Sequence, residues 1–300
     1  MNRREPVLLA AAGALLLAGC TSGGGTDEAT ASPSGAPPSG RGSASPAPSP
    51  SPSATAANEP FTLAESVAPR TRSEAAAFVR GLTVRPDYFG SGYRKRDPYE
   101  TGPATWTVLG DDCIWRREPL APTVLASLTR SFVRPAAGGK GPVFVSLTVT
   151  VHASVVGARR DMAVSLEEPL RCPTQQLTAT ERVQGMASQG DPFTEQRTAT
   201  SDDNLTEFGE YVADGDSKPR RFDWFKHRLG PVTVAATVRH APGGSEAETT
   251  AVTEQALAGV GYVTADIDRL GRNAQAAQTP SAEGKDAPVS GDEAEGAGDE

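Results

Sequence analysis

Apolar and polar side chains alternate most regularly near the middle of the chain. Val143, Val145, Leu147, Val149, Val151 and Ala153 take the odd positions, and Ser146, Thr148, Thr150 and His152 fall between them. A period of two puts the two sets on opposite sides of a strand, so this segment predicts a β-strand with one buried face. Val124, Ala126, Leu128 and Phe132 alternate similarly, and the glycine-rich stretch 136–141 separates the two runs, so 123–152 reads as a hairpin. Further strands are expected at 176–184, 206–212, 221–229 and 232–240, the last two joined through Leu229-Gly230-Pro231.

Helix signals punctuate these strands. Thr71-Arg-Ser-Glu74 has the form of a capping box and opens a short helix to Arg80, which Gly81 ends. Ser154 caps a helix that places Val155, Ala158, Met162 and Leu166 on one face, with Pro169 as its stop. Ser245-x-x-Glu248 opens a third helix, expected to run to about Ala258 and to end at Gly259. Strand pairs interrupted by helices, without repeated βαβ units, predict an α+β fold. The expectation is a single domain of mostly antiparallel β-sheet, with two to three helices packed on one face.

These elements fill only residues 61–275. Residues 21–60 contain no Val, Leu, Ile or aromatic side chain and are dominated by Ser, Pro, Gly and Ala, so they have nothing to bury and read as an extended tether. Residues 276–300 form a second segment of low hydrophobicity, expected to be a solubilising acidic tail. The tail also relocates the charge. The chain carries -8, of which -6 lies in residues 281–300 and -1 in residues 1–60. A nearly neutral domain remains, which argues against a globally basic nucleic-acid-binding protein.

The N-terminus has the parts of an export signal in residues 1–19: Arg3 and Arg4, an apolar run from Val7 to Ala18, and small residues at the end. The run is too short to cross a bilayer core of ~30 Å as a helix. Leu17-Ala18-Gly19-Cys20 resembles the bacterial lipobox, in which the cysteine is acylated with diacylglycerol after cleavage. Two acyl chains on Cys20 would anchor the protein stably, with residues 20–60 as lipidated cysteine and tether. The expected location is the extracytoplasmic face of the cell membrane. The export route stays open, because Glu5-Pro6 follows the arginine pair where a twin-arginine signal usually has an apolar residue. With Cys20 lipidated, Cys113 and Cys172 remain, and an even remainder in an exported protein predicts a disulfide.

A cysteine followed by an aromatic in Cys113-Ile-Trp115, a strand ending Val149-Thr-Val-His-Ala-Ser154, a helix containing Ala158 and a second cysteine in Leu170-Arg-Cys172 form a recognisable arrangement. Together with Phe222-Asp-Trp-Phe-Lys-His-Arg-Leu-Gly-Pro-Val-Thr-Val234, it resembles the PknH-like extracellular sensor domain, found outside mycobacterial kinases and on actinobacterial lipoproteins. The similarity spans roughly residues 105–265. It implies a sandwich-like domain with a ligand-binding cleft. The family's usual second disulfide has no cysteines here.

Candidate chemistry is sparse. No nucleophile elbow, zinc-binding helix motif, S-x-x-K or phosphate loop is present. His152, His227 and His240 fall on different strands and are expected to be solvated or hydrogen-bonded rather than catalytic. The acids Asp202, Asp203, Glu207 and Glu210 lack calcium-loop order and are expected in a polar loop. No cofactor, metal or catalytic residue is assigned. Two segments interleave aromatic and cationic groups: Tyr93, Arg94, Lys95 and Arg96 in an expected glycine-rich loop, and Trp224 with Lys226 on one strand face. Both are candidate binding groups. The expected function is a non-enzymatic ligand-binding or sensor lipoprotein with an unidentified envelope ligand or protein partner. The alternatives are an envelope enzyme with a dispersed site and an assembly lipoprotein acting through protein contacts. A cleft holding two titratable groups in opposed environments would favour the enzyme, and an exposed apolar patch the assembly role.

Overall fold

The hairpin at the centre of the sequence is the centre of the structure. In a computed structural model that describes residues 61–189 and 201–278, β4 (Val124–Arg134) pairs antiparallel with β5 (Val143–His152). The signal, Cys20, the tether and most of the acidic tail lie outside the described residues. β5 pairs in turn with β10 (Val232–Arg239), which pairs with β9 (Arg220–Leu229). The sheet continues through β8 (Asp203–Ala213), β7 (Glu181–Gln189) and β6 (Thr174–Gln176), while β1 (Arg94–Glu100) forms the opposite edge beside β4. All eight strands are antiparallel. A separate hairpin joins β2 (Thr105–Leu109) to β3 (Trp115–Pro119).

The alternation decides which face is covered. Val143, Val145, Leu147, Val149 and Val151 meet Val232, Val234, Ala236 and Val238 on one face, together with Phe225 and Leu229. Two helices close this layer, α1 (Arg72–Gly81) and α3 (Glu246–Gln278), through Ala75, Val79, Val252, Ala256, Val260, Val263 and Ile267. Each fully buried Val or Ile contributes roughly 1.5–3 kcal/mol, which makes this layer the main source of stability. The cap on α1 is the expected reciprocal pair: the Glu74 amide donates to Thr71 Oγ1 at 3.2 Å, and the Thr71 amide donates to Glu74 Oε2 at 3.1 Å. At the other end of α1, buried Arg130 donates to the carbonyls of Val79 and Arg80, a cation placed at the negative end of a helix.

The third helix, α2 (Val155–Arg171), lies on the other face, held by Asp161 and Ser165 to Lys226 and Thr233. Two expectations for it are corrected. Pro169 does not stop the helix but sits in its last turn, and the Cys172 amide closes the helix on the Glu168 carbonyl at 2.8 Å. The buried line is Ala158, Met162, Ser165, Glu168 and Pro169, while Leu166 is exposed. The helix rests on a partly polar surface, so of the expected apolar face Ala158 and Met162 turn inward while Leu166 turns outward.

Three further boundaries differ from expectation. α3 continues through Gly259 to Gln278, past the expected start of the tail at 276. Gly259 is a contact point rather than a stop, because a Cβ there would lie 2.6 Å from Phe89 Cδ1. The strand expected at 176–184 is two strands turning at Leu177–Thr180, where Leu177 and Thr178 both donate to the Glu181 carbonyl. Residues 94–96 are part of edge strand β1, not a loop, and β2 and β3 were not anticipated.

Candidate functional site

The sheet face opposite α1 and α3 is lined with hydroxyls because the alternation of the apolar strands leaves Ser and Thr on that side. Ser127 and Thr129 on β4, Ser146, Thr148 and Thr150 on β5, and Thr233 and Thr237 on β10 make a floor. Facing side chains pair across strands: Ser127 with Thr150 at 2.9 Å, and Thr129 with Thr148 at 2.8 Å. Above this floor, α2 on one side and the β2–β3 hairpin on the other enclose a cleft of about 510 Å³. That volume is typical of small-ligand sites.

The hairpin supplies an aromatic wall. Trp106, Trp115 and Trp224 all line the cleft, and these are the three tryptophans of the chain. Trp115 and Trp224 meet edge to face with centroids 5.8 Å apart, and Trp115 Nε1 donates to Gln175 Oε1 at 2.9 Å. The disulfide fixes the hairpin in this place. Cys113, in the β2–β3 turn, is bonded to Cys172 at the end of α2 with Cα atoms 5.5 Å apart, and its carbonyl accepts from the Gln176 amide. Cys113 has a φ of 61°, left-handed backbone that a non-glycine residue rarely adopts and that the surrounding bonds hold in place.

α2 contributes the charged end. Lys226 reaches from β9 to Asp161 Oδ2 at 2.9 Å and to Ser165 Oγ at 2.8 Å. The same Asp161 oxygen accepts from Thr233 and lies 3.3 Å from His152 Nε2. Asp161 is therefore held well below the usual carboxylate range: burial opposes ionisation, but the Lys226 ammonium and the His152 contact outweigh it. Glu168, two turns along α2, is in the opposite condition. It is 7% exposed, and its Oε2 has no partner. Burial, with the Asp161 and Glu207 charges nearby, pushes its pKa up to about 7 against the pull of Lys226. Gln175 Nε2 is likewise buried without a partner. Beside the cleft, Glu207 on β8 is the register partner of Trp224, accepts from Ser188, is raised by burial, and leaves its own Oε2 unpartnered.

The binding residues expected from sequence divide. Trp224, Lys226 and Arg96 line the cleft. Arg96 and Arg239 hold their guanidinium groups 4.7 and 4.9 Å from the centre of the Phe144 ring. Arg94 does not line the cleft, and Lys95 sits over Tyr99. Tyr93 is a core residue that meets Phe89 edge to face, and burial raises its hydroxyl to about 12. Sequence reasoning missed Trp106, Arg117, Asp161, Glu168 and Gln175 as parts of one site. The histidines are hydrogen-bonded and buried: His240 to Asp223 at 2.7 Å, His227 to Ser201 at 3.0 Å, and His152 near Thr233. Burial lowers His227 to about 4. The acids expected in a polar loop serve strand β8 and its start, where Asp202 and Asp203 both pair with Arg228.

Fold and site together define an α+β domain with a disulfide-clamped cleft that has an aromatic wall, a hydroxyl floor and a buried charged end. No family model matches this chain, and no curated protein does. Among solved structures, the X-ray structure of an uncharacterized protein (Rv0999 ortholog) from Mycobacterium smegmatis is similar over 65% of this chain and 97% of that one, at 8% identity with a TM-score of 0.29. A likeness of that size carries no argument about fold or function. Among the described residues, no helix is long and apolar enough to cross a membrane.

Proposed function

We propose that this protein is a lipid-anchored extracytoplasmic binding module whose ligand site is the cleft between the sheet and α2. The single observation that supports the reading most is the convergence of all three tryptophans with two buried, unpartnered polar groups, Glu168 Oε2 and Gln175 Nε2, on one small cavity. Buried polar atoms without partners are rare in folded proteins and are expected where a ligand completes them. The resemblance to the PknH-like sensor domain family points the same way and rests on its motif residues alone.

Asp161 and Glu168 favour a second reading, an envelope enzyme, because their environments push them in opposite directions. The binder is preferred on geometry. Asp161 Oδ2 is committed to Lys226 and Thr233 with His152 alongside, so the ionised carboxylate is bonded within the protein rather than presented to a substrate. The proposal is tested by native mass spectrometry of the lipidated full chain against a small-molecule extract of the envelope. Ala235→Phe would fill the cleft from its floor. A ligand bound by the wild type and lost in that variant supports the reading, whereas equal capture removes the cleft as the site, and release of a chemically altered ligand transfers the case to the enzyme. Labelling with a fatty-acid analogue tests the anchor: Cys20→Ser should lose the label.

A further inference from the structure

We propose that the cleft takes an acidic saccharide: a pyranose unit that lies on the tryptophan wall, meets the hydroxyl floor, and directs a carboxylate or phosphate at Arg96 and Arg117. The proposal rests on the cleft being the ligand site and names the chemistry that site selects.

Three observations carry it. An aromatic wall facing a floor of Ser and Thr calls for a ligand with one apolar face and a rim of hydrogen-bonding groups, and a pyranose ring presents C–H bonds on its faces and hydroxyls around its edge. The unpartnered atoms at the buried end make the same demand. Gln175 Nε2 needs an acceptor, and Glu168 Oε2 needs a donor or an acceptor according to whether it holds its proton. A hydroxyl serves as either, in any protonation state, whereas a nucleobase edge has a fixed pattern.

The third observation is the charge balance. Five cations and three acids line the cleft. Lys226 is matched by Asp161, Arg239 by Glu181, and Arg116 by Asp112 just outside. Arg96 has no acidic partner among the described residues. Among the described residues Arg117 donates to Thr105 and Thr107 and has no acidic partner, and partial desolvation lowers its pKa. Two guanidinium groups therefore remain uncompensated at the wall and rim of a cavity whose one unpaired acid, Glu168, is largely uncharged below about pH 7. A ligand anion meets both. Arg96 is half-buried and Arg117 stands at the exposed rim, so an anion that reaches both forms charge-assisted hydrogen bonds that add affinity as well as orientation.

The test uses the lipidated full chain in a detergent without a sugar headgroup, titrated calorimetrically and by tryptophan emission with glucuronate, glucose 6-phosphate, glucose, adenosine monophosphate and inorganic phosphate. Glucuronate or glucose 6-phosphate should bind and shift the emission, and the preferred one identifies the substituent. Glucose should bind more weakly by about tenfold, the loss of one charge-assisted hydrogen bond. Arg96→Ala should weaken the acidic sugar by a similar factor and leave glucose unchanged, while Lys95→Ala, one residue away but outside the cleft, should change neither. No response to either acidic sugar overturns the proposal. Equal binding of glucose, or indifference to Arg96→Ala, overturns the acidic part. Binding of the nucleotide or of phosphate alone overturns the saccharide class. In each of these cases the cleft still stands as a ligand site if Ala235→Phe abolishes capture from the envelope extract, and falls with the proposal if it does not.

Discussion

Replacing Glu168 by Gln separates the cost of a buried charge from everything else that titrates in this domain. Glu168 is almost fully enclosed, has an oxygen with no partner, and has a pKa of about 7 against an ordinary value of 4.5. At ~1.4 kcal/mol per pH unit, holding it ionised in the folded state costs roughly 3 kcal/mol. The folded chain keeps this proton to higher pH than the unfolded chain does, so stability from this group is intact below about pH 4.5 and declines as pH rises to about 7. Gln carries no charge at any pH and abolishes that decline. His227 works in the opposite direction. Its folded pKa is lowered to about 4 from 6.5, so its contribution grows as pH rises across that interval. His227 opposes the decline while Glu207, also raised by burial, adds to it, so the wild-type curve alone does not isolate Glu168. The difference between wild type and Glu168→Gln isolates the carboxyl. Urea unfolding of both proteins at about pH 5 and about pH 8 should show the variant gaining ~2–3 kcal/mol on the wild type between the two conditions. A constant offset is expected from the extra amide hydrogen. A gap that does not widen with pH would refute the account of Glu168 as a desolvated acid.

Three other outcomes follow from the structure. Cys113→Ser with Cys172→Ser should lower unfolding free energy by up to ~4 kcal/mol for a bond spanning 59 residues, read from the urea midpoint; an unchanged midpoint would show that the bond constrains nothing. Lys226→Met should cost ~3–5 kcal/mol because it strands the Asp161 carboxylate, and adding Asp161→Asn should recover part of the loss; a double variant no better than the single one contradicts the pairing. Gly259→Ala would ordinarily stabilise a helix, yet here it should destabilise by ~1–3 kcal/mol because the new methyl meets the Phe89 ring, and a raised melting temperature would refute that contact.

The core was legible because its strands alternate, with Phe144 and Ala235 the exceptions on the opposite face. Val143 to Val151 and Val232 to Val238 point their apolar set at α1 and α3, and no other register buries them. Edge strand β1 was not legible, since Arg94-Lys-Arg-Asp-Pro has the composition of a loop and pairs only because β4 offers a free edge. The outward Leu166 and the unbroken helix at Gly259 were misread for one reason: local rules assume that apolar faces turn inward and that glycines stop helices, and tertiary contacts overrode both. The site was half visible. Trp224 and Lys226 share a strand face by periodicity, and the hydroxyls of β5 and β10 stand on that same face. A row of Ser and Thr reads equally well as a solvated surface, however, and nothing local reveals that α2 and a distant hairpin roof it over.

The disulfide gives that roof a history. The β2–β3 hairpin is a separate sheet that touches the edge of the eight-stranded one through the Gln176 amide and the Cys113 carbonyl, and a two-stranded hairpin alone is marginal in water. Cys113–Cys172 is the covalent tie that holds its two tryptophans beside α2 and Gln175. A chain with free thiols would keep its sheet and its α1–α3 layer while one wall of the cleft swings loose. On the proposed reading of the cleft as a ligand site, folding and competence to bind become two separate events, the second dependent on oxidation of Cys113 and Cys172.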